Sequence, residues 1–101
     1  MIPTVIKLED NNYKLLISSQ QLDEIRTKPS ELCDILNQYE HFKIIGYDMG
    51  TINNGGQHIE NAQSEEIIAI EIENTSTTDD MFDNYILAII RKILLELYKN
   101  M

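Results

Sequence analysis

The chain has 101 residues, is 43% hydrophobic, carries a formal charge of −9 and holds one cysteine. That is a single domain, 1–101, able to bury roughly 60 to 65% of its unfolded surface without a disulfide or a structural metal, and too apolar to stay disordered. Cys33 has no second cysteine to bridge, MIPTVIKLED lacks the basic and long apolar segments of a signal peptide, and the longest apolar run, YILAII, covers 6 residues, so a reducing, cytoplasmic location and no membrane association are expected.

TVIKLE sets Thr4, Ile6 and Leu8 against Val5, Lys7 and Glu9, and YKLLIS sets Tyr13, Leu15 and Ile17 against Lys14, Leu16 and Ser18. This alternation predicts two strands, and Asp10, Asn11 and Asn12 between them predict a tight hairpin, because asparagine tolerates positive φ. Ser18 or Ser19 is placed to cap a helical turn carrying Leu22 and Ile25. Pro29 belongs in a first turn, so the helical pattern breaks near Thr27 and resumes through Leu32, Ile35, Leu36 and Tyr39. HFKIIGYDM predicts a third strand over 41–49. EIIAIEIEN predicts a fourth over 66–74, with Ile68, Ile70 and Ile72 on one face and Ala69, Glu71 and Glu73 on the other. STTDD would supply the N-cap and first-turn acids of a last helix from about Asp80 to Tyr98. The order ββαββα predicts an α+β fold: a small antiparallel sheet of about four strands with helices packed on one face.

Between the third and fourth strands, GTINNGGQHIENAQSEE holds Asn53, Asn54, Gly55 and Gly56, the residues a positive-φ turn requires. A phosphate-cradling loop would lead into a helix N-terminus and bring a basic residue. This one leads into a carboxylate-rich strand, so a protruding hairpin or long loop is expected, with Gln57, His58 and Glu60 as its contact residues.

The last helix is apolar over an arc of roughly 220°, more than one sheet face covers. Either the first helix buries the surplus, or the edge around Leu87, Leu94 and Tyr98 stays open for a partner or a homodimer. On this wheel Arg91, Lys92 and Lys99 fall on the narrow polar side.

Charge is unevenly placed. From Asp48 to Ile90 there are 9 carboxylates and no Lys or Arg, a segment that accounts for the net charge. It reads either as solvated surface or as a surface shaped for a basic protein, with Asp48, Glu65, Glu66, Glu71, Glu73, Asp79 and Asp80 as contacts. Direct nucleic-acid binding is disfavoured, because phosphate attraction needs a basic stripe.

Catalytic chemistry is thinly represented. His41 and His58 lack the spacing that places two ligands on one metal, and Cys33 sits among helical apolar residues, as a core cysteine does. Glu71 and Glu73 are neighbours on one strand face, whereas glycosidase acids oppose each other across a cleft. No catalytic residue, metal ligand or cofactor is assigned. The profile of a small, strongly acidic, Asn- and Ile-rich domain resembles that of bacterial immunity proteins, phage anti-defence proteins and other stoichiometric nuclease inhibitors. The resemblance implies a binding protein, not an enzyme, that neutralises a basic partner such as a nuclease toxin. Two other readings are a homo-oligomeric structural or accessory protein using the last helix, and a small metal binder or enzyme using His58 and Glu60.

Overall fold

Asn11 provides the first bend. In the computed structural model its φ is 66°, and around it Leu8 N–H donates to Asn12 O at 2.8 Å and Asn12 N–H donates to Glu9 O at 3.2 Å. This closes a hairpin between β1 (Thr4–Lys7) and β2 (Asn12–Ser18). The structure describes residues 3–9, 11–53, 64–76 and 81–100, with backbone alone at 51–53 and 64–65.

Ser18 ends β2 and begins a helix at once. Its Oγ accepts from Gln21 N–H at 3.1 Å, and Gln21 Oε1 accepts from Ser18 N–H at 3.2 Å, a capping box that satisfies two otherwise orphaned donors of α1 (Ser19–Glu24). Arg26, at φ 53°, reverses the chain, and buried Thr27 donates from its hydroxyl to Ile25 O at 3.1 Å. Pro29 then opens α2 (Pro29–Leu36) from its first position, where its missing N–H costs nothing.

β3 (Phe42–Asn53) and β4 (Ser64–Asn74) complete an antiparallel sheet of strand order β1-β2-β4-β3. Directly paired residues share a face, so Tyr13, Leu15 and Ile17 stand beside Ile72, Ile70 and Ile68. All six are buried, together with Leu22, Leu32 and Leu36 from the first two helices and Ile86, Ile90 and Ile93 from α3 (Phe82–Lys99). The helices therefore cover one face of an α+β sheet. β4 ends against both neighbours: Asn74 N–H donates to Asn11 O and Thr75 N–H to His41 O, each at 2.9 Å. The side chain of Asn74 is buried and accepts from Ser76 N–H at 2.8 Å.

Several boundaries differ from the sequence expectation: β1 ends at Lys7, short of Glu9, and β4 begins at Ser64, ahead of Glu66. β3 continues past Met49 to Asn53, because ladder bonds belong to the backbone and Gly50 breaks no pairing. α2 stops at Leu36, and Tyr39 lies beyond it, its ring stacked on Phe42 at 6.4 Å. The last helix begins at Phe82 instead of Asp80. Its N-cap is Met81 at φ 62°, which makes no side-chain cap hydrogen bond, and its first-turn acid is Asp83. The start is set by packing: the Phe82 ring lies 5.0 Å from Tyr13, 5.8 Å from Tyr85 and 6.3 Å from Phe42. Burial of that cluster outweighs the lost cap, worth about 1 kcal/mol. No helix among the described residues is long and apolar enough to cross a membrane.

Candidate functional site

The face of the sheet turned away from the helices holds the alternate residues of each strand. Lys14 and Leu16 of β2 pair with Glu71 and Ala69 of β4, and those pair in turn with Gly46 and Asp48 of β3. Glu73 lies on the same face, between Asn12 and Lys43. Asp48 and Glu73 are exposed, and Lys14, Leu16, Ala69 and Glu71 are half-buried. The fold thus gathers three of the sequence-predicted contact residues, Asp48, Glu71 and Glu73, on one open surface.

The same register supplies what the sequence order conceals. Lys14 stands directly across from Glu71, and Lys43 directly across from Glu73. A segment without a basic residue along the chain is not a surface without one in space. Neither lysine closes to within ion-pair distance. Among the described residues that range is reached by His41 Nε2 and Glu40 Oε2, at 3.7 Å. Opposite charges on directly paired strand residues still attract through solvent, each pair contributing a few tenths of a kcal/mol. The face is a mixed pattern with a small acidic excess.

Its relief comes from small residues. Between Ile44 and Gly46 the β3–β4 register shifts by a bulge, which leaves Ile45 without a partner and half exposed at the rim. Gly46 and Ala69 form the floor of a hollow of about 220 Å³, bordered by Lys14, Ile45, Tyr47, Asp48 and Glu71. A Cβ added at Gly46 would meet nothing within 4 Å, so the hollow there is free space, not close packing. With two carboxylates and an ammonium around it, the hollow is predominantly polar and fits a protruding partner side chain that ends in a charged group.

The other predicted contact residues are not on this surface or are not described. Glu66 pairs with Thr51 beyond the end of β2 and has the parity of Ile68, so it lies on the helix side of the sheet. Glu65 pairs with Ile52 through its backbone. Gln57, His58, Glu60, Asp79 and Asp80 lie outside the described residues.

A second feature lies on the helix layer. Leu87 and Leu94 of α3 pack partly buried against the core, whereas Tyr98 is 65% exposed. Leu95, which the helical wheel did not single out, is 55% exposed. Leu94, Leu95 and Tyr98 line an open groove of about 320 Å³ with Pro3, Ile25 and Arg91. Arg91 is therefore in the groove and not on a separate polar side, because positions 91, 95 and 98 follow one stripe of the helix. The helix orients itself by placing Ile86, Ile89, Ile90 and Ile93 against the core, and this rotation turns Leu95 outward.

Elsewhere, among the described residues, the fold raises two pKa values. Burial, reinforced by Asp34, pushes the Cys33 thiol up. Burial, then Glu40 and Tyr39, raises the Tyr85 phenol, whose hydroxyl donates to Glu40 O at 3.1 Å. Neither shift produces a reactive group, since each favours the neutral form. Among the described residues no three His, Cys, Asp or Glu side chains converge on a common point. Compared with known family models, curated proteins and solved structures, the chain shows no significant match to any.

Proposed function

We propose that this protein is a stoichiometric binding protein that docks its open sheet face onto a basic protein, most concretely an immunity-type or anti-defence protein that neutralises a nuclease toxin in the cytoplasm. The observation that carries this reading is the gathering of Asp48, Glu71 and Glu73 on the face turned away from the helices, with Asp48 and Glu71 bordering the hollow floored by Gly46 and Ala69. A net charge of −9 attracts a basic partner over the range of the Debye length, about 8 Å at physiological salt. Lys14 and Lys43, set among the acids, add selectivity: a uniformly basic surface would meet two repulsive points. The hollow gives a central anchor for one partner side chain, and well-packed anchors carry most of an interface's energy.

The test begins with capture of the partner from the native host and stopped-flow mixing of the purified pair. A Cβ at position 46 meets nothing within 4 Å, so Gly46→Thr, which places bulk in the hollow, should keep the melting temperature while weakening binding at least tenfold. Asp48→Lys with Glu71→Lys should slow association and flatten its salt dependence. A partner whose on-rate ignores salt, or that binds the Gly46→Thr variant as tightly as the original, would refute the reading.

Exposure of Leu95 and Tyr98 beside the groove favours a second reading, an accessory protein that docks α3 on another chain. In that case Leu95→Asp abolishes assembly, and changes on the open face do not.

A further inference from the structure

The two edges of the sheet are built differently. β1 has 4 residues, follows Pro3 and ends on Lys7. Shortness, proline and lysine are the usual means by which proteins keep an edge from pairing. β3 has 12 residues and no proline. Its first part is closed by two devices, the bulge between Ile44 and Gly46 and the Asn37 side chain, whose Oδ1 accepts from Ile44 N–H at 3.0 Å. From Gly46 to Asn53 neither device continues, the only charge is Asp48, and among the described residues no strand lies on the far side of β3.

Tyr47 and Met49 complete the picture. They pair with Ile70 and Ile68, two of the most deeply buried residues, and so share the helix-covered face. Yet Tyr47 is 41% and Met49 55% exposed. They continue the core face with side chains left about half open.

We propose that two copies of this chain pair edge to edge through β3, antiparallel about a two-fold axis near Met49, to make one continuous sheet. An antiparallel edge is complementary to itself under a two-fold rotation. Two chains of charge −9 approach most easily where each is least charged, and Gly46–Asn53 is such a stretch. Centring on Asp48 would set the two aspartates directly opposite, which is destabilising. Centring on Met49 sets Asp48 opposite Gly50 of the second copy and Tyr47 opposite Thr51. Tyr47 and Met49 from both copies then form one apolar patch. A foreign basic strand would find a single carboxylate along this edge, whereas a second copy finds a matching apolar one. The pairing needs no outside partner and stands or falls separately from the function proposed above.

Sedimentation velocity of the purified chain over a range of concentrations tests it. The expected result is a monomer–dimer equilibrium that tightens as salt rises, because screening relieves repulsion between the copies; binding to a basic protein would weaken under the same change. Met49→Lys should raise the dimer dissociation constant at least tenfold, and Leu95→Asp should leave it unchanged. Should Met49→Lys perturb folding, Met49→Cys in a Cys33→Ser background provides an independent measurement. With oxidised glutathione as oxidant it should cross-link into covalent dimers, the two thiols meeting at the axis, while Ile6→Cys in that background should not. A monomer at every concentration overturns the proposal. So does a dimer that Leu95→Asp dissolves, and so does a monomer whose β3 amide resonances shift only on addition of an extended lysine-rich peptide.

Discussion

Cys33 shows how much a single position is decided by its surroundings. It is buried beside Leu32 and Leu36, and both burial and the nearby Asp34 oppose its ionisation. The thiolate is the nucleophile, so a thiol held neutral should react slowly. Alkylation by iodoacetamide at pH 8 is expected to be at least tenfold slower in the folded protein than in urea, and equal rates would show that Cys33 is open to solvent. The sign of the linked stability follows. The folded state keeps its proton to higher pH than the unfolded state, so stability attributable to this group is complete below the ordinary thiol pKa and falls as pH rises through and beyond it. A Cys33→Ala variant should show a shallower loss between pH 8 and pH 10 in urea titrations. Asn11, Arg26, His41 and Met81 show the converse, with the backbone deciding: each has positive φ. Asn11 and His41 are of types enriched in that conformation, and Arg26 and Met81 hold it where the chain must turn between packed elements.

At the scale of the element, β4 is the strand on which everything else is organised. It is paired on both sides, and from Ile68 to Glu73 its consecutive residues alternate between the buried core and the open face. Ile70 and Glu71 are neighbours in sequence with opposite environments, so their truncations should differ sharply. Ile70→Ala leaves a cavity under the helices and is expected to cost about 3 to 4 kcal/mol. Glu71→Ala, on the open face, should stay within about 1 kcal/mol, since its pairing with Lys14 contributes only a few tenths. Urea denaturation of both variants reads the difference directly, and comparable losses would mean that the open face is covered. The helices depend less on their own sequences. α1 is well capped but short, and α3 begins without a side-chain cap, so its position rests on Phe82, Ile86, Ile90 and Ile93.

For the whole molecule the dominant quantity is charge. With −9 on 101 residues, mutual repulsion opposes the compact state, and Lys14 and Lys43 relieve it only locally. Raising salt from about 0.01 to about 0.15 M shortens the Debye length from about 30 to about 8 Å and should raise the melting temperature by a few degrees. A scanning calorimetry trace that moves the other way would mean that cross-strand attraction on the open face outweighs the net repulsion.

Much of this molecule was legible in one dimension. The alternations through Tyr13, Leu15 and Ile17 and through Ile68, Ile70 and Ile72 specify strands and their buried sides, because side-chain direction in a strand depends only on parity. Ser18, Pro29 and Asn11 mark a cap, a helix start and a turn, because those preferences are local to a few bonds. The α+β class follows from the order of such elements. The composition of the open face does not, since it depends on which strands become neighbours and in what register, and backbone hydrogen bonds connect distant residues without regard to their type. Placing β4 between β2 and β3 set Lys14 and Lys43 beside glutamates far from them in sequence, turning an apparently pure acidic segment into a mixed surface. It also left β3, with Tyr47 and Met49, at the edge. The groove residue Leu95 escaped the helical wheel for a related reason: the rotation of α3 is decided by how Phe82 and the isoleucines fit the sheet, and only the assembled core determines that.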